Sequence, residues 1–185
     1  MQDRRVIKTK RAIKIAFLKL LQKNEINKIT VSDLSELADL GRGTFYLYYK
    51  DVYDLLEHIE TEVLEKIGDL FDKTLLRDTP PNFLSFMEKT MEYIYENKDV
   101  FDLLLSSKGS VTFLEKLKTY FRNKELEERK HNGQSTETEY DQYEVTFIIS
   151  GVVGIIQDWV RNGMKHPPKQ MAQIIEKVLD ANGMA

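Results

Sequence analysis

Residues 30–56 read TVSDLSELADLGRGTFYLYYKDVYDLL, and their reading decides the fold. Thr30, followed three residues later by Asp33, makes a capping-box-like pair that opens a short helix. That helix buries Val31, Leu34 and Leu37 or Ala38, and it ends near Asp39 because Gly41 favours a turn. A second short helix covers Arg42 to Tyr48, and Asp51 caps a third, longer one. Two short helices joined by a tight turn, the first well anchored, are the pattern of a helix-turn-helix. Leu34, Leu37, Ala38 and Leu40 supply the anchor, and Phe45 and Tyr49, four apart, share the inward face of the second helix.

The outer side of that second helix then carries Arg42, Gly43, Thr44, Tyr46, Leu47 and Tyr48. These side chains suit the major groove of DNA. Arg42 can bond bidentately to guanine or to a phosphate. Thr44 and the tyrosine hydroxyls suit phosphate oxygens, and Leu47 can touch a thymine methyl. Gly43 leaves room for close backbone approach. Backbone amides near Lys50 and Asp51, at the next helix start, can hold a further phosphate. Read as ordinary protein surface, Arg42 would be solvated and Tyr46 and Tyr48 would be half-buried packing residues.

Working outward, helical spacing of apolar residues recurs almost throughout the chain, with only 4 prolines and 9 glycines in 185 residues. Ile13, Phe17, Leu20 and Leu21 form one stripe of a first helix over residues 4–23, and Asn24 to Ile29 is a polar break. The helix after Asp51 carries Leu55, Leu56, Ile59, Val63, Leu64, Ile67, Leu70 and Phe71 on its apolar side. Asp78-Thr79-Pro80-Pro81 is a stop and restart. Further helices follow at 81–97, 99–105, 110–130, 139–162 and 168–182. Ser106 to Ser110 reads as a turn with Ser110 as a cap, residues 131–138 (HNGQSTET) as a mobile loop, and Gly163 as a C-cap. The expectation is an all-α fold of about nine helices. A three-helix DNA-binding domain occupies residues 1–52, and an α-helical regulatory and dimerisation domain occupies 53–185.

Charge follows the same division. Residues 1–50 hold 11 Lys/Arg and 5 Asp/Glu, whereas the rest hold 16 and 25, within an overall net charge of −3. A basic first quarter on an acidic body points to one polyanion-facing end, the alternative being chance clustering on solvated helix faces. The chain has no cysteine, which removes disulfides and thiolate metal sites and fits a reducing cytosol. Met1 leads straight into charged residues, so a secretory signal is not expected, and the apolar run 147–156 is too short to span a bilayer. The localisation expected is cytoplasmic, with no membrane partner.

The segments AIKIAFLKLL, ITVSDLSELA and GTFYLYYKDVYDLL, in that order and spacing, resemble the DNA-binding domain of TetR-like (TetR/AcrR) transcription regulators. The resemblance covers about 50 residues between Lys8 and Leu56. It implies double-stranded DNA as a partner, contacted through Arg42, Gly43, Thr44, Tyr46, Leu47, Tyr48 and Lys50, with phosphate contacts from Thr30 to Ser32. Two positions depart from the family pattern: Asp39 stands where glycine is usual, and Val52 where a phosphate-binding lysine often stands. The family joins this domain to an all-α regulatory domain that binds a small ligand and forms a two-fold dimer. A weaker similarity in ENKDVFDLLLSSKGSVTFLEKLKTYF and ISGVVGIIQDWVRNG is to the branch of regulators related to dihydroxyacetone-kinase control.

In the helix 139–162, Val145, Ile148, Ile149, Val152, Val153, Ile155, Ile156, Trp159 and Val160 wrap apolar surface around most of the circumference. Such a helix is buried on more than one side. Ser150, Gly151 and Gly154 allow close approach of another helix, so a homodimer interface is expected through Ser150, Gly151, Gly154, Ile155, Trp159, Ile174, Ile175 and Val178. A central core helix in a monomer is the alternative. Phe86, Met91, Tyr93, Phe101, Phe113, Phe121, Tyr143 and Phe147 are candidates to line a pocket for a small apolar or amphipathic effector, although such residues also fill ordinary cores.

His58, His131 and His166 form no ligand-spaced cluster, so no metal is expected, and no cofactor or enzyme signature is present. The function expected is a ligand-responsive, homodimeric transcription repressor on a two-part operator. The alternative is a regulator controlled by a partner protein.

Overall fold

A computed structural model describes residues 4–76, 82–105, 111–131, 133 and 138–181. Among the described residues there are nine α-helices and no strand, as the helical spacing of apolar residues requires. Contacts divide the chain into two compact units, Met1–Glu62 and Val63–Ala185.

The first unit starts with α1 (Arg4–Leu21), which buries Ile13, Ala16, Phe17 and Leu21. The polar break after it contains a single 3-10 turn, Ile26–Lys28, and then Ile29, which is buried. Helix α2 (Val31–Leu37) packs on α1 and on α3 (Arg42–Tyr46). Phe17, Leu34, Phe45 and Leu55 are at most 1% exposed and form the centre of this unit. Leu55 comes from α4 (Val52–Phe71), whose residues up to Glu62 belong here. Glu62 takes an ion pair from Lys14 of α1 at 2.8 Å.

Both ends of α2 are fixed by local chemistry. Thr30 Oγ1 accepts from the Asp33 amide and an Asp33 oxygen accepts from the Thr30 amide, each at 3.1 Å, which is a complete capping box. The Thr30 hydroxyl, which donates to an Asp33 carboxylate oxygen at 2.6 Å, and then the Thr30 amide hold that carboxyl below its ordinary value. At the other end Asp39 adopts φ 55°, and the Leu40 amide reaches back to the Ser35 carbonyl at 2.9 Å. The Asp39 amide donates to the Glu36 carbonyl at 3.2 Å, completing a Schellman motif with Asp39 in the left-handed position. Glycine is the residue best suited to that backbone.

Two details differ from the sequence expectation. Leu37 is 48% exposed, because the inward face of α2 runs through Leu34 and Ser35 and the helix ends at Leu37. Helix α3 stops at Tyr46, two residues early, and Tyr48 and Tyr49 are held by backbone bonds to the Phe45 carbonyl instead.

The second unit takes α4 from Val63, and Val63, Ile67 and Phe71 are buried. A five-residue π turn, Asp72–Leu76, ends that helix, which periodicity alone did not anticipate. Then come α5 (Phe83–Glu96), α6 (Lys98–Leu105), α7 (Val111–His131), α8 (Glu139–Arg161) and α9 (Pro168–Ala181). Helix α5 packs on α9, α7 on α8, and α6 on both α7 and α8. The expected breaks at 78–81 and 106–110 lie outside the described residues, as do 132 and 134–137 of the expected loop.

Thr138 caps α8 through a second complete capping box with Asp141. Gly163, at φ 75°, ends it with the Met164 amide on the Trp159 carbonyl at 2.9 Å. The apolar run 147–156 thus lies inside a 23-residue helix whose length and mean hydropathy of 1.3 would suffice to cross a membrane. Packing against α6, α7 and α9 covers one side of it, and only 22% of the apolar stretch is buried within the unit.

Candidate functional site

Two regions bear on function, one in each unit. In the first, Phe45 is fully buried and Tyr49 is 5% exposed, and together they fix α3 by its inner face. Arg42, Gly43, Tyr46, Leu47 and Lys50 are exposed on the other side, with Leu47 at 76% and Tyr46 at 57%. Thr44 and Tyr48 are half-buried, Thr30 is exposed and Ser32 is half-buried. The inward and outward faces therefore divide as the spacing predicts.

The site is braced by a few polar and ring contacts. Arg42 Nη2 donates to Ser32 Oγ at 2.6 Å, linking α3 to the start of α2. The Tyr46 ring stands edge-on to Phe45 with centroids 5.6 Å apart. Lys10 of α1 lies 5.7 Å from the Tyr48 ring centroid and 5.9 Å from that of Tyr49, so a cation faces both rings. Tyr49 also meets the His58 ring edge-on at 5.3 Å. Burial, with the nearby charges of Glu62 and Asp54, pushes the Tyr49 hydroxyl up to about 12.

The start of α4 departs from expectation. The Lys50 amide, considered free for a phosphate, donates to an Asp54 carboxylate oxygen at 2.9 Å. The Tyr53 and Asp54 amides go to Asp51 at 2.8 and 2.9 Å. Two aspartates thus occupy the donors that a phosphate would use. Val52, where a lysine was looked for, is 6% exposed and belongs to the core.

The second region is a cavity of about 220 Å³ in the second unit. Of the residues considered for a pocket, Phe86, Phe101 and Phe121 lie in its lining. Phe71, Phe86 and Phe121 stand at mutual centroid distances of 5.5, 6.0 and 6.4 Å. Ile148, Ile149, Val152 and Ile156 of α8 close another side, and Thr90, Glu125 and Arg129 bring the polar atoms. Arg129 Nη1 donates to Glu144 at 2.7 Å and its Nε to Glu125 at 3.1 Å. Burial pushes the Arg129 guanidinium down, but the two carboxylates more than offset this and hold it above its ordinary value.

Five residues considered for the pocket lie elsewhere. Met91 and Phe113 are fully buried but outside the cavity lining. Tyr93 packs edge-on to Phe101 at 5.7 Å from outside the lining. Tyr143 and Phe147 are 72% and 65% exposed, on the side of α8 away from the cavity. Helical spacing alone could not say which face of so apolar a helix turned inward. No sequence signal singles out Glu125 or Arg129, which stand four apart in a strongly charged stretch of α7.

The residues considered for a dimer interface also separate. Gly151, Gly154 and Val178 are exposed, and Ser150, Ile155 and Ile174 are half-buried. Trp159 and Ile175 are buried within the subunit, at 4% and 0% exposure. Trp159 Nε1 donates to the His166 carbonyl at 3.0 Å, and Ile175 shares the inner face of α9 with Met171, Ala172 and Leu179. Both side chains therefore serve the core and not the surface.

With this geometry in hand, comparison with known proteins is specific. Residues 81–181 match the family model of the TetR-type transcriptional regulator C-terminal region. The chain is 30% identical over 101 residues to the uncharacterised HTH-type transcriptional regulator YxbF of Bacillus subtilis, a stretch of 51% of this chain and 26% of that protein. It is 38% identical over 65 residues to the dhaKLM operon transcriptional activator DhaS of Lactococcus lactis, 35% of each chain. The aligned stretches thus span about a quarter and a third of these two relatives. A TetR transcriptional regulator from Streptococcus agalactiae superposes with a TM-score of 0.61 at 26% identity, covering 96% of both chains. This chain belongs to the TetR family of transcription regulators, and not among enzymes.

Proposed function

We propose that this regulator binds double-stranded DNA as a homodimer and changes its affinity for DNA when a small ligand occupies the second unit. The observation that carries the reading is α3, whose inner face is buried through Phe45 and Tyr49 while Arg42, Tyr46 and Leu47 are exposed. Residues 1–52, with the part of α4 up to Glu62 that packs on them, act as the DNA-binding domain, and the second unit acts as the sensing and dimerisation domain. Arg42, Gly43, Thr44, Tyr46, Leu47, Tyr48 and Lys50 meet the major groove and its phosphates, with Thr30 and Ser32 on the flanking backbone. Two copies place these helices in half-sites about 34–36 Å apart, or a multiple of it. The setting is the cytoplasm and the default sign is repression.

The dimer reading rests on the outer side of α8, where Tyr140, Tyr143 and Phe147 are 65–72% exposed at helical spacing and Gly151 and Gly154 have open space above them. A second copy covers this face, with Ser150, Ile155, Ile174 and Val178 around it. The ligand reading rests on the cavity, which is apolar with a few converging polar groups. An effector of this kind must favour one dimer state over the other, since equal affinity shifts nothing.

The test is selection of bound duplexes from random DNA with the full chain, followed by light scattering at micromolar concentration. A selected two-part site and a dimeric mass are expected. No sequence preference, or a monomer, overturns the reading.

The exposed Tyr140–Tyr143–Phe147 stripe also favours a second reading, in which a partner protein rather than a ligand controls the regulator. Tyr143→Asp with Phe147→Asp separates the two. Loss of the dimer assigns the stripe to a second copy, and a persisting dimer assigns it to a partner. Reporter expression with and without the chain gives the sign, which the name of the DhaS relative, an activator, leaves open.

A further inference from the structure

The cavity of the second unit carries a statement about ligand chemistry, which rests on the ligand-sensing reading above. Its volume of about 220 Å³ sets a size. A dry cavity of about 150 Å³ holds benzene, so this one suits roughly nine non-hydrogen atoms. Three phenylalanine rings, Phe71, Phe86 and Phe121, stand within 6.4 Å of one another along its wall. Such walls favour a flat ring, which meets them edge-on or offset.

Charge decides the rest. The charged residues in the lining are Glu125 and Arg129, and Arg129 already holds Glu125 and Glu144. One cation between two carboxylates leaves a cluster of net charge −1, so a ligand carboxylate meets net repulsion here even though the guanidinium keeps unused N–H donors. One polar group is nevertheless unsatisfied. Thr90 lines the cavity and is 3% exposed, and its hydroxyl has no hydrogen-bond partner among the described residues. A buried hydroxyl left without a partner costs about 1–3 kcal/mol, which a suitably placed ligand group recovers.

We propose that this cavity binds an uncharged, single-ring aromatic alcohol of the phenol class, with its ring among Phe71, Phe86 and Phe121 and its hydroxyl on Thr90 Oγ1. A threonine hydroxyl both donates and accepts, so it matches a phenol in either sense. The net negative charge of the Glu125–Arg129–Glu144 cluster selects against acids.

Calorimetric titration of the full chain with 4-ethylphenol, ethylbenzene, 4-ethylbenzoate and 4-ethylbenzylammonium tests this. The phenol is expected to bind at least tenfold more tightly than each of the others. Thr90→Val, which keeps the shape and removes the hydroxyl, brings the phenol down to the level of ethylbenzene and leaves ethylbenzene binding unchanged or tighter. Thr90→Ser keeps the preference. Tightest binding by the benzoate or the ammonium ion overturns the ligand class and leaves the sensor reading standing. A phenol preference that survives Thr90→Val overturns the role of Thr90. Failure of all four probes overturns both this inference and the use of the cavity as a sensor, while selection of a DNA site tests the first unit independently.

Discussion

Arg42 Nη2 donates to Ser32 Oγ at 2.6 Å, so the arginine on the exposed side of α3 is already tied to α2. The bond holds the guanidinium near the N-terminal end of α2, and it must be exchanged or shared if Arg42 meets a base edge. Arg42→Ala is expected to weaken binding to a selected duplex by about 1–3 kcal/mol while leaving the thermal midpoint unchanged, if the contact is to guanine. Relaxed sequence preference marks a base contact, and a salt slope reduced by about 1 marks a phosphate contact. Ser32→Ala, which frees the guanidinium and removes one proposed phosphate contact, should cost less than Arg42→Ala. Fluorescence anisotropy over a salt series reads all three quantities, and unchanged affinity for Arg42→Ala removes it from the DNA face.

Asp39 at φ 55° carries a side chain in a conformation that disfavours one. An L-residue pays about 1–2 kcal/mol there, and aspartate somewhat less because its side chain bonds locally. Asp39→Gly is therefore expected to raise stability by up to about 1 kcal/mol, and Asp39→Val to lower it by more. Chemical denaturation followed by circular dichroism measures both. Equal midpoints for all three chains would show that the left-handed turn is not under strain. The glycine variant also removes an acidic group beside the exposed face of α3, so its DNA binding should not weaken.

The first unit was legible because each of its signals is local. Thr30 and Asp33 announce a capping box three residues apart, and Phe45 and Tyr49 fall four apart on one face. Asp39 was marked only by the family pattern, as standing where glycine is usual, because aspartate by itself signals a left-handed backbone far more weakly than glycine does. The second unit was legible in its helices and not in its faces. Helix α8 is apolar nearly all round, so neither period nor composition tells Phe147, which is exposed, from Ile148, which lines the cavity. Trp159 and Ile175 went to the core for a similar reason: burial within a subunit and burial between subunits ask for the same residues. Arg129 was invisible as a cavity residue because its partners, Glu125 and Glu144, come from two helices.

Gly68 of α4 faces Tyr120 of α7 with no room for a side chain. A methyl group added at Gly68 would overlap the Tyr120 hydroxyl and lie 3.0 Å from its Cζ. Tyr120 cannot swing away freely, because its ring stands edge-on to Phe121 at 5.1 Å and beneath the Lys124 ammonium at 5.9 Å. Gly68→Ala is expected to destabilise by about 1–3 kcal/mol, the usual range for overpacking, despite the better helix propensity of alanine. Tyr120→Phe removes the overlapping oxygen and should recover part of that loss in the double variant. A double-mutant cycle of denaturation midpoints gives the coupling. A neutral Gly68→Ala would mean that the two helices separate readily.

Tyr49 supplies a prediction at high pH. Burial, then Glu62 and Asp54, push its hydroxyl up to about 12, above the ordinary tyrosine value of 10.0. The folded chain therefore keeps this proton through a range in which the unfolded chain releases it. The stability so gained is fully present below pH 10 and is lost as pH rises through 10 towards 12. Tyr49→Phe keeps the ring against His58 and Phe45 but carries no proton to lose. Urea midpoints at pH 9 and pH 11.5 should accordingly fall further for the native chain than for the phenylalanine variant. The difference in absorbance near 295 nm between the two chains should show a single ionisation step near pH 12. Parallel pH dependence of the two chains, or a step near pH 10, would place Tyr49 in contact with solvent and loosen its hold on α3.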